Sequence, residues 1–449
     1  MNRDLDAILL GDGPVAGVDD FIDARGGEAL TAALAGSPDD VIEEIRLSGL
    51  RGRGGAGFPT GLKWRSVRDD ACPTTFVVCN AAEGEPGTFK DRWLLRTNPY
   101  QVLEGLAIAA HAVGARKAFI GVKSGSDREI VRVTRAIEEM AERDLLGRVP
   151  LEVVGGPDEY LFGEEKALLE VIEGNPPLPR IVPPFMEGLF RQPGSPNPTV
   201  VNNVETLANV PHIIRRGHEW FRSIGTEGSP GTMLFTLSGD VAAPGMYELP
   251  LGYSLRDLVY AVGGGPPAGR ELKVVVPGAS NTVLLPEQLD TPLDFDAMSA
   301  VGSGLGSGGF VVYDDSACIV RIAGAFSRFL YVESCAQCPA CKHGTEQITG
   351  LLERIDRGEG SDLDVQTILA RSLTVTDAQR CALPTGETLL VQSAIHAFGR
   401  EFAEHLGRPC PRPREIPVPK MVDFDEGTGA FRYDERYFLK QPDWTYADG

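Results

Sequence analysis

The chain has 449 residues, 42% of them hydrophobic, enough for about three domains with apolar cores of their own. Its 43 basic side chains face 63 acidic ones, and the net charge of −20 argues against nucleic acid as a partner and against docking on anionic lipid. No run of 18 apolar residues predicts a spanning helix, so no direct membrane insertion is expected. The start, Met-Asn-Arg-Asp-Leu-Asp, lacks a signal-peptide core, and a cytoplasmic location is the expectation. A reducing compartment disfavours a disulfide framework, and three of the eight cysteines crowd into Cys335, Cys338 and Cys341, a use that suits metal. The 53 glycines show no collagen-like period and direct attention to backbone lying close to a ligand.

Residues 1–50 read as a leader with two short helices, one carrying Ile42, Ile45 and Leu47. A glycine-dominated stretch follows, from Gly49 to Gly61. Thr75–Cys79, Ala118–Val122 and Leu151–Val154 read as short apolar strands. Between them lie two amphipathic patterns: Leu103, Leu106, Ala107, Ala110 and Val113 behind an Asn98-Pro99 start, then Val131, Thr134, Ile137, Ala141 and Leu145 behind Ser126 or Asp127. This βαβαβ order predicts a parallel α/β layer. Residues 174–198 hold eight prolines and exclude a regular helix or central strand, leaving a linker or a rigid wrap. Residues 1–228 are taken as one N-terminal α/β domain. Residues 229–318 read as a small β-rich domain, with strands at Met233–Leu237, Met246–Leu249 and Leu272–Val276 and a helix over Leu255–Val262 capped by Ser254. Residues 319–408 turn helical, over Ala325–Tyr331, Glu346–Ile355, Val365–Leu373 and Leu389–Leu406. Residues 409–449 read as an irregular polar tail.

The window 49–63 is GLRGRGGAGFPTGLK, in which Gly52, Gly54 and Gly57 fit G-x-G-x-x-G. A helix rather than a strand precedes it, which is the wrong context for a dinucleotide fingerprint. Its glycines, Gly55 and Gly61 included, let amide groups approach a phosphate, while Arg51, Arg53 and Lys63 add positive charge. The other reading is an exposed turn cluster. Asn80 to Arg92 follows the first strand, and ligands collect at the carboxyl ends of parallel strands. There Asn80 can read an amide edge, and Glu83 or Glu85 can accept from ribose hydroxyls; solvated loop charges are the alternative. Tyr160 to Glu165, with Gly163 before Glu164 and Glu165, poses the same choice. Asn202, Asn203 and Thr206 can donate to a ring or phosphate, or merely cap a helix.

Cys335-x2-Cys338-x2-Cys341 brings three thiolates around one centre, and Cys381 is a candidate fourth after 39 residues. Four thiolates bind zinc or a [4Fe-4S] cluster; the triplet suits the corners of the cube, while zinc commonly uses paired C-x2-C units. Position 345 is Thr, so a remote ligand must close the site. Cys318 reads as a core thiol in a strand-like run, Cys72 and Cys79 as structural, and Cys410 as a tail residue.

GLRGRGGAGFPTGLKW at 49–64, EGEPGTFKDR at 83–92, FGEEKALLEVIEG at 162–174, VVNNVETLANVP at 200–211 and ESCAQCPACKHG at 333–344 together closely resemble the NADH-binding flavoprotein subunit of respiratory complex I and its relatives in soluble NAD-dependent hydrogenases and formate dehydrogenases. The resemblance covers roughly residues 25–408. It implies a Rossmann-like FMN domain, a ubiquitin-like β-grasp domain and a C-terminal helical bundle, in that order. It implies FMN over the Gly52–Gly61 loop, with Lys63, Asn80, Gly163, Asn202, Asn203 and Thr206 among its contacts. NADH would stack on the flavin beside Phe58 and Phe185, with Glu85 and Glu165 near its polar groups. Cys335, Cys338, Cys341 and Cys381 would hold the [4Fe-4S] cluster. The implied activity is that of a diaphorase, in which NAD(H) exchanges hydride with FMN and electrons leave singly through the cluster; the alternative is an FMN/iron–sulfur electron-transfer subunit that uses a different donor or acceptor or has lost nucleotide turnover. No side-chain acid or base is needed as a catalyst. The implied partners are a small thioredoxin-like [2Fe-2S] subunit and a larger iron–sulfur or catalytic subunit, which could place the chain peripherally on the cytoplasmic face of a membrane. The family usually carries an acid at Ala82, an aromatic near Ser66, Cys at Phe162, Thr at Lys166 and Lys at Val182, and these departures bear on the nucleotide more than on flavin or cluster. Lys166 is a candidate replacement for the missing cation.

Overall fold

A computed structural model describes residues 7–11, 13–412 and 414–448. The first sheet is parallel throughout, in the order β3-β2-β1-β4: β1 is Phe76–Ala81, β2 Lys117–Lys123, β3 Leu151–Gly156 and β4 Thr199–Asn203. Strand β1 is buried at every residue except Asn80, because helices or loops cover both faces of the layer and a continuous apolar run is what such a strand requires. The Pro99–Val113 helix is apolar nearly all round and runs through the core; Asn98 starts it, its side chain accepting from the Gln101 N–H at 3.3 Å. The expected βαβαβ order is present. It gains β4, which lies directly beyond the prolines, and three N-terminal helices, Val18–Asp23, Glu28–Ala35 and Pro38–Ser48, stand where two were expected.

The second sheet is mixed, in the order β6-β5-β8-β7, with β5 Thr232–Gly239, β6 Gly245–Pro250, β7 Leu272–Val276 and β8 Gly309–Asp314. Its parallel β5–β8 centre flanked by antiparallel edges gives the β-grasp arrangement. The helix expected over Leu255–Val262 forms as a wide π-type turn from Asp257 to Val262, and the Ser254 hydroxyl does cap it, accepting from Asp257 N–H at 3.1 Å. The third unit packs the Ile319–Glu333, Pro339–Asp356, Asp362–Ser372 and Leu383–Ala397 helices around Phe326, Phe329, Ile348 and Leu390. The single helix expected over Leu389–Leu406 is two, broken at Phe398 before Gly399–Glu404. Among the described residues no helix is long and apolar enough to cross a membrane.

The tail is not irregular. Met421–Asp425 (β9) and Ala430–Tyr433 (β10) form an antiparallel hairpin, and the segment clasps all three units. Asp423 pairs with Arg96 at 2.7 Å, Arg414 with Asp240 at 2.6 Å and Lys440 with the fully buried Glu333 at 2.8 Å. A polar composition made it look loose, but Arg414, Asp423 and Lys440 find ion-pair partners elsewhere in the chain.

Candidate functional site

The strand order reverses between β1 and β4, the place where parallel α/β sheets bind ligands beyond their carboxyl ends. Register sets Asn80 opposite Asn203 and Cys79 opposite Asn202 at that reversal. Asn80 Nδ2 donates to Gly163 O at 2.7 Å, and Asn202 Oδ1 accepts from Trp64 Nε1 at 2.7 Å. Asn203 caps the Val204–Arg216 helix, its Oδ1 accepting from Glu205 N–H at 3.0 Å, while its Nδ2 donates to Asp91 at 2.6 Å. Lys63 Nζ donates to Val201 O and pairs with Glu165, both at 3.1 Å. The Thr206 hydroxyl accepts from the Arg53 backbone N–H at 2.8 Å, docking the glycine loop against the start of that helix.

The loop itself is a tight hairpin turn between the Pro38–Ser48 and Thr60–Arg68 helices, closed by Gly52 N–H on Phe58 O at 2.8 Å. Gly54 packs on the Asn203 side chain and Gly57 on the Phe295 ring. Gly55 has φ +127°, a backbone that only glycine adopts freely, and faces open space apart from Gly306 at 4.0 Å. A glycine turn packed on Asn203 beside the strand ends fits a phosphate-bearing ring system. Gly163 carries a second steric requirement, since a Cβ there would sit 2.8 Å from Ala82 O.

Two of the expected loop cations turn away from this site. Arg53 is fully buried, donating to Pro230 O at 2.9 Å and Arg51 O at 3.2 Å, and burial brings its pKa down to about 10. Arg51 pairs with Asp296 at 3.0 Å and lies 4.4 Å from the Phe295 ring centre. Their charge braces the loop against the β-grasp unit; Lys63 is the cation left at the strand ends. Glu83 is likewise structural, accepting from Asp91 N–H at 3.0 Å and Arg92 Nε at 2.9 Å. Glu85 is held between Tyr160 OH and Ala279 N–H, both at 2.6 Å, and burial pushes its carboxyl up. Glu164 caps the Glu165–Ile172 helix through Lys166 and Ala167 N–H at 3.0 Å, and burial raises it to about 7. Lys166 donates to Arg380 O and approaches Glu164 at 3.5 Å, so it does not replace a nucleotide-facing cation. Phe58 and Phe185 stand at the surface, 52% and 40% exposed.

Sequence reasoning missed the ionic centre beneath these residues. Lys90 is fully buried and reaches Asp91 at 2.7 Å, Glu205 at 2.9 Å and Asn203 at 3.1 Å. Burial opposes its charge, but the two carboxylates outweigh that and hold it above its ordinary value. The signal was the Lys-Asp-Arg run directly after Thr88-Phe89, which looks like a solvated loop but opens the Lys90–Thr97 helix.

Cys335, Cys338, Cys341 and Cys381 line one small pocket with Leu161, Ser334, Asp377, Arg380, Leu383 and Pro384. Ala336, at φ +62°, curls the chain between the first two cysteines. Cys338 occupies the N-cap of the Pro339–Asp356 helix, and Cys381 lies just ahead of the Ala382 N-cap of the Leu383–Ala397 helix, so both residues stand at helix N-termini. Burial pushes Cys341 up to about 11 and Cys381 up to about 12, so bare thiols stay protonated. Four convergent thiols beside Arg380 fit a thiolate-ligated metal centre, whose charge replaces those protons.

Fold and site define a two-centre α/β protein: a nucleotide-type ligand face at a sheet reversal, joined to a four-thiol helical unit. Residues 45–212 match the Nuo51 FMN-binding domain, 234–277 the SLBB domain, and 321–405 the NADH-ubiquinone oxidoreductase-F iron–sulfur binding region. The chain is 43% identical over 403 residues to an F-type subunit (F 2) of the NADH-quinone oxidoreductase of Rhizobium meliloti, covering 87% of this chain and 94% of that relative. It is 36% identical over 408 residues to HndC of the NADP-reducing hydrogenase of Solidesulfovibrio fructosivorans, covering 88% and 82%. The structure of an air-oxidised NAD+-reducing [NiFe]-hydrogenase superposes with TM-score 0.78 at 36% identity, over 90% of this chain and 69% of that one. The chain belongs to the F-type subunit family of the NADH-quinone oxidoreductases, the FMN- and [4Fe-4S]-containing electron-input subunits of such enzymes.

Proposed function

We propose that this protein exchanges hydride electrons with NAD(H) at the β1–β4 reversal and passes them singly through Cys335, Cys338, Cys341 and Cys381 to a partner iron–sulfur subunit. The observation that carries the reading is that one short segment, 160–166, borders both centres. Gly163 accepts from Asn80 and Glu165 pairs with Lys63 on the ligand face. Leu161 lines the cysteine pocket, and Lys166 donates to Arg380 O at its rim. A path between the centres therefore crosses little intervening chain.

FMN, when bound, supplies the conversion between a two-electron donor and one-electron acceptors. The chain's own residues do the positioning. The Gly54–Gly57 amides and Lys63 would receive the phosphate, while Asn80, Asn202, Asn203 and Thr206 fix the strand ends against which the ring would lie. Phe58 and Phe185 offer apolar surface for a nicotinamide nucleotide to stack. The four thiolates hold the cluster and bring no proton to the reaction. A small [2Fe-2S] protein and a larger iron–sulfur or catalytic subunit are the proposed onward partners.

The test is an anaerobic titration of the purified holoprotein with NADH and, separately, NADPH, followed by flavin absorbance. Bleaching by one equivalent of either nucleotide supports the reading and selects the donor. Flavin that dithionite bleaches but neither nucleotide does would overturn it.

A further inference from the structure

At the opposite end of the Ile319–Glu333 helix from the four-thiol pocket, Cys318, Asp356, His405 and Cys410 offer ligand atoms that all lie within 4.8 Å of one another. These residues come from four separate segments. Cys318 is the N-cap of that helix, Asp356 ends the Pro339–Asp356 helix, His405 follows the Gly399–Glu404 helix, and Cys410 opens the tail. Along the sequence Cys318 looks like a core thiol and Cys410 like a tail residue. The fold brings both onto one imidazole and one carboxylate.

We propose that these four residues form a structural zinc(II) site. The imidazole is already set for it. His405 Nδ1 lies 2.8 Å from the Glu401 carbonyl, which can only accept, so Nδ1 carries the proton and Nε2 keeps its lone pair. That Nε2 points at the Cys318 sulfur, 3.2 Å away, with both side chains fully buried. A histidine whose second nitrogen is tied to a backbone carbonyl is the usual outer arrangement of a metal-ligating imidazole. Asp356 is oriented in the same way, by Arg321 Nε at 2.8 Å. Two thiolates, one imidazole and one carboxylate form a borderline-soft tetrahedral set that suits zinc, whose ligand atoms stand about 3.3–3.8 Å apart.

The ion would displace one proton from each thiol, and the Arg321 guanidinium offsets the negative charge that the two thiolates and Asp356 leave on the bound site. The 15-residue helix separates this cluster from the four-thiol pocket by about 22 Å, so the two centres are independent. Zinc here would join the exit from the β-grasp unit, two helices and the root of the clasping tail.

Metal analysis of the purified holoprotein, grown with zinc supplied, tests this. The expected content is about one zinc per chain beside the iron, with a zinc K-edge spectrum showing two sulfur and two nitrogen or oxygen neighbours. Cys410→Ser and His405→Gln should each lower zinc at least fivefold with iron unchanged. Cys381→Ala should lose iron and keep zinc. Absence of zinc after incubation with Zn2+ and desalting, or a four-sulfur or sulfur-free zinc spectrum, would overturn the site. The spectrum needs no variant, so a misfolded mutant leaves it decisive.

Discussion

The ligand face of the α/β layer and the cysteine pocket of the helical unit solve opposite problems. Around Asn203 the charges pair within the protein before any ligand arrives: Lys90 with Asp91 and Glu205, Lys63 with Glu165, Glu83 with Arg92. Around Cys381 only Cys341 of the four is a buried residue, the thiols have few polar partners, and burial pushes Cys341 and Cys381 far from ionisation. The first region is finished by folding and the second by metal. Altering the first should therefore cost stability, and altering the second should cost occupancy.

Lys90→Met breaks the comparison most sharply if it fails. It leaves Asp91 and Glu205 buried without their cation, a change that costs about 3–5 kcal/mol. Urea denaturation should show the whole of that loss even without cofactors. An undiminished midpoint would mean that the ligand face is not prearranged. On the other side, Cys381→Ala should reduce iron from about four per chain to near zero while flavin content holds. Elemental analysis and low-temperature EPR read it directly, and full iron in that variant would remove Cys381 from the ligand set.

The two regions also differ in how far a sequence can disclose them. The cysteine triplet is local, and its spacing alone announces a centre; three strands and their helices are equally plain from period. Strand β4 is hidden because Thr199–Asn203 is short and sits directly behind eight prolines. Arg53 looks like a phosphate cation because counting charges in a loop says nothing about which way a side chain turns, and this one turns inward to Pro230. Cys318 and Cys410 are 92 positions apart, and only the fold shows that they share His405. Local signals survive translation into sequence; partnerships across distant segments do not.

Arg53 supplies the next, smaller test. If its guanidinium braces the loop, Arg53→Met should lose about 2 kcal/mol of stability with two hydrogen bonds gone, and flavin affinity should stay within about threefold. A tenfold or greater loss of flavin at unchanged stability would mean that the side chain serves the phosphate after all. Differential scanning calorimetry and flavin fluorescence separate the two outcomes.

The smallest expected effect falls on the boundary between the regions, at Glu164. Burial raises its folded-state pKa to about 7, against an ordinary 4.5, although it caps a helix and lies near Lys166. A carboxyl raised in this way makes the folded state hold its proton longer than the unfolded one. Its contribution to stability is thus fully present below about pH 4.5 and is lost as pH rises through 7. Glu164→Gln removes that dependence and keeps an oxygen to accept from Lys166 and Ala167 N–H. The variant should match the wild type near pH 5 and exceed it near pH 8 by on the order of 1 kcal/mol, less than the shift alone gives because glutamine caps more weakly. Stability curves at the two pH values decide it. An equal difference at both would mean that Glu164 is ionised throughout. The segment joining the two centres would then belong, electrostatically, to the finished side.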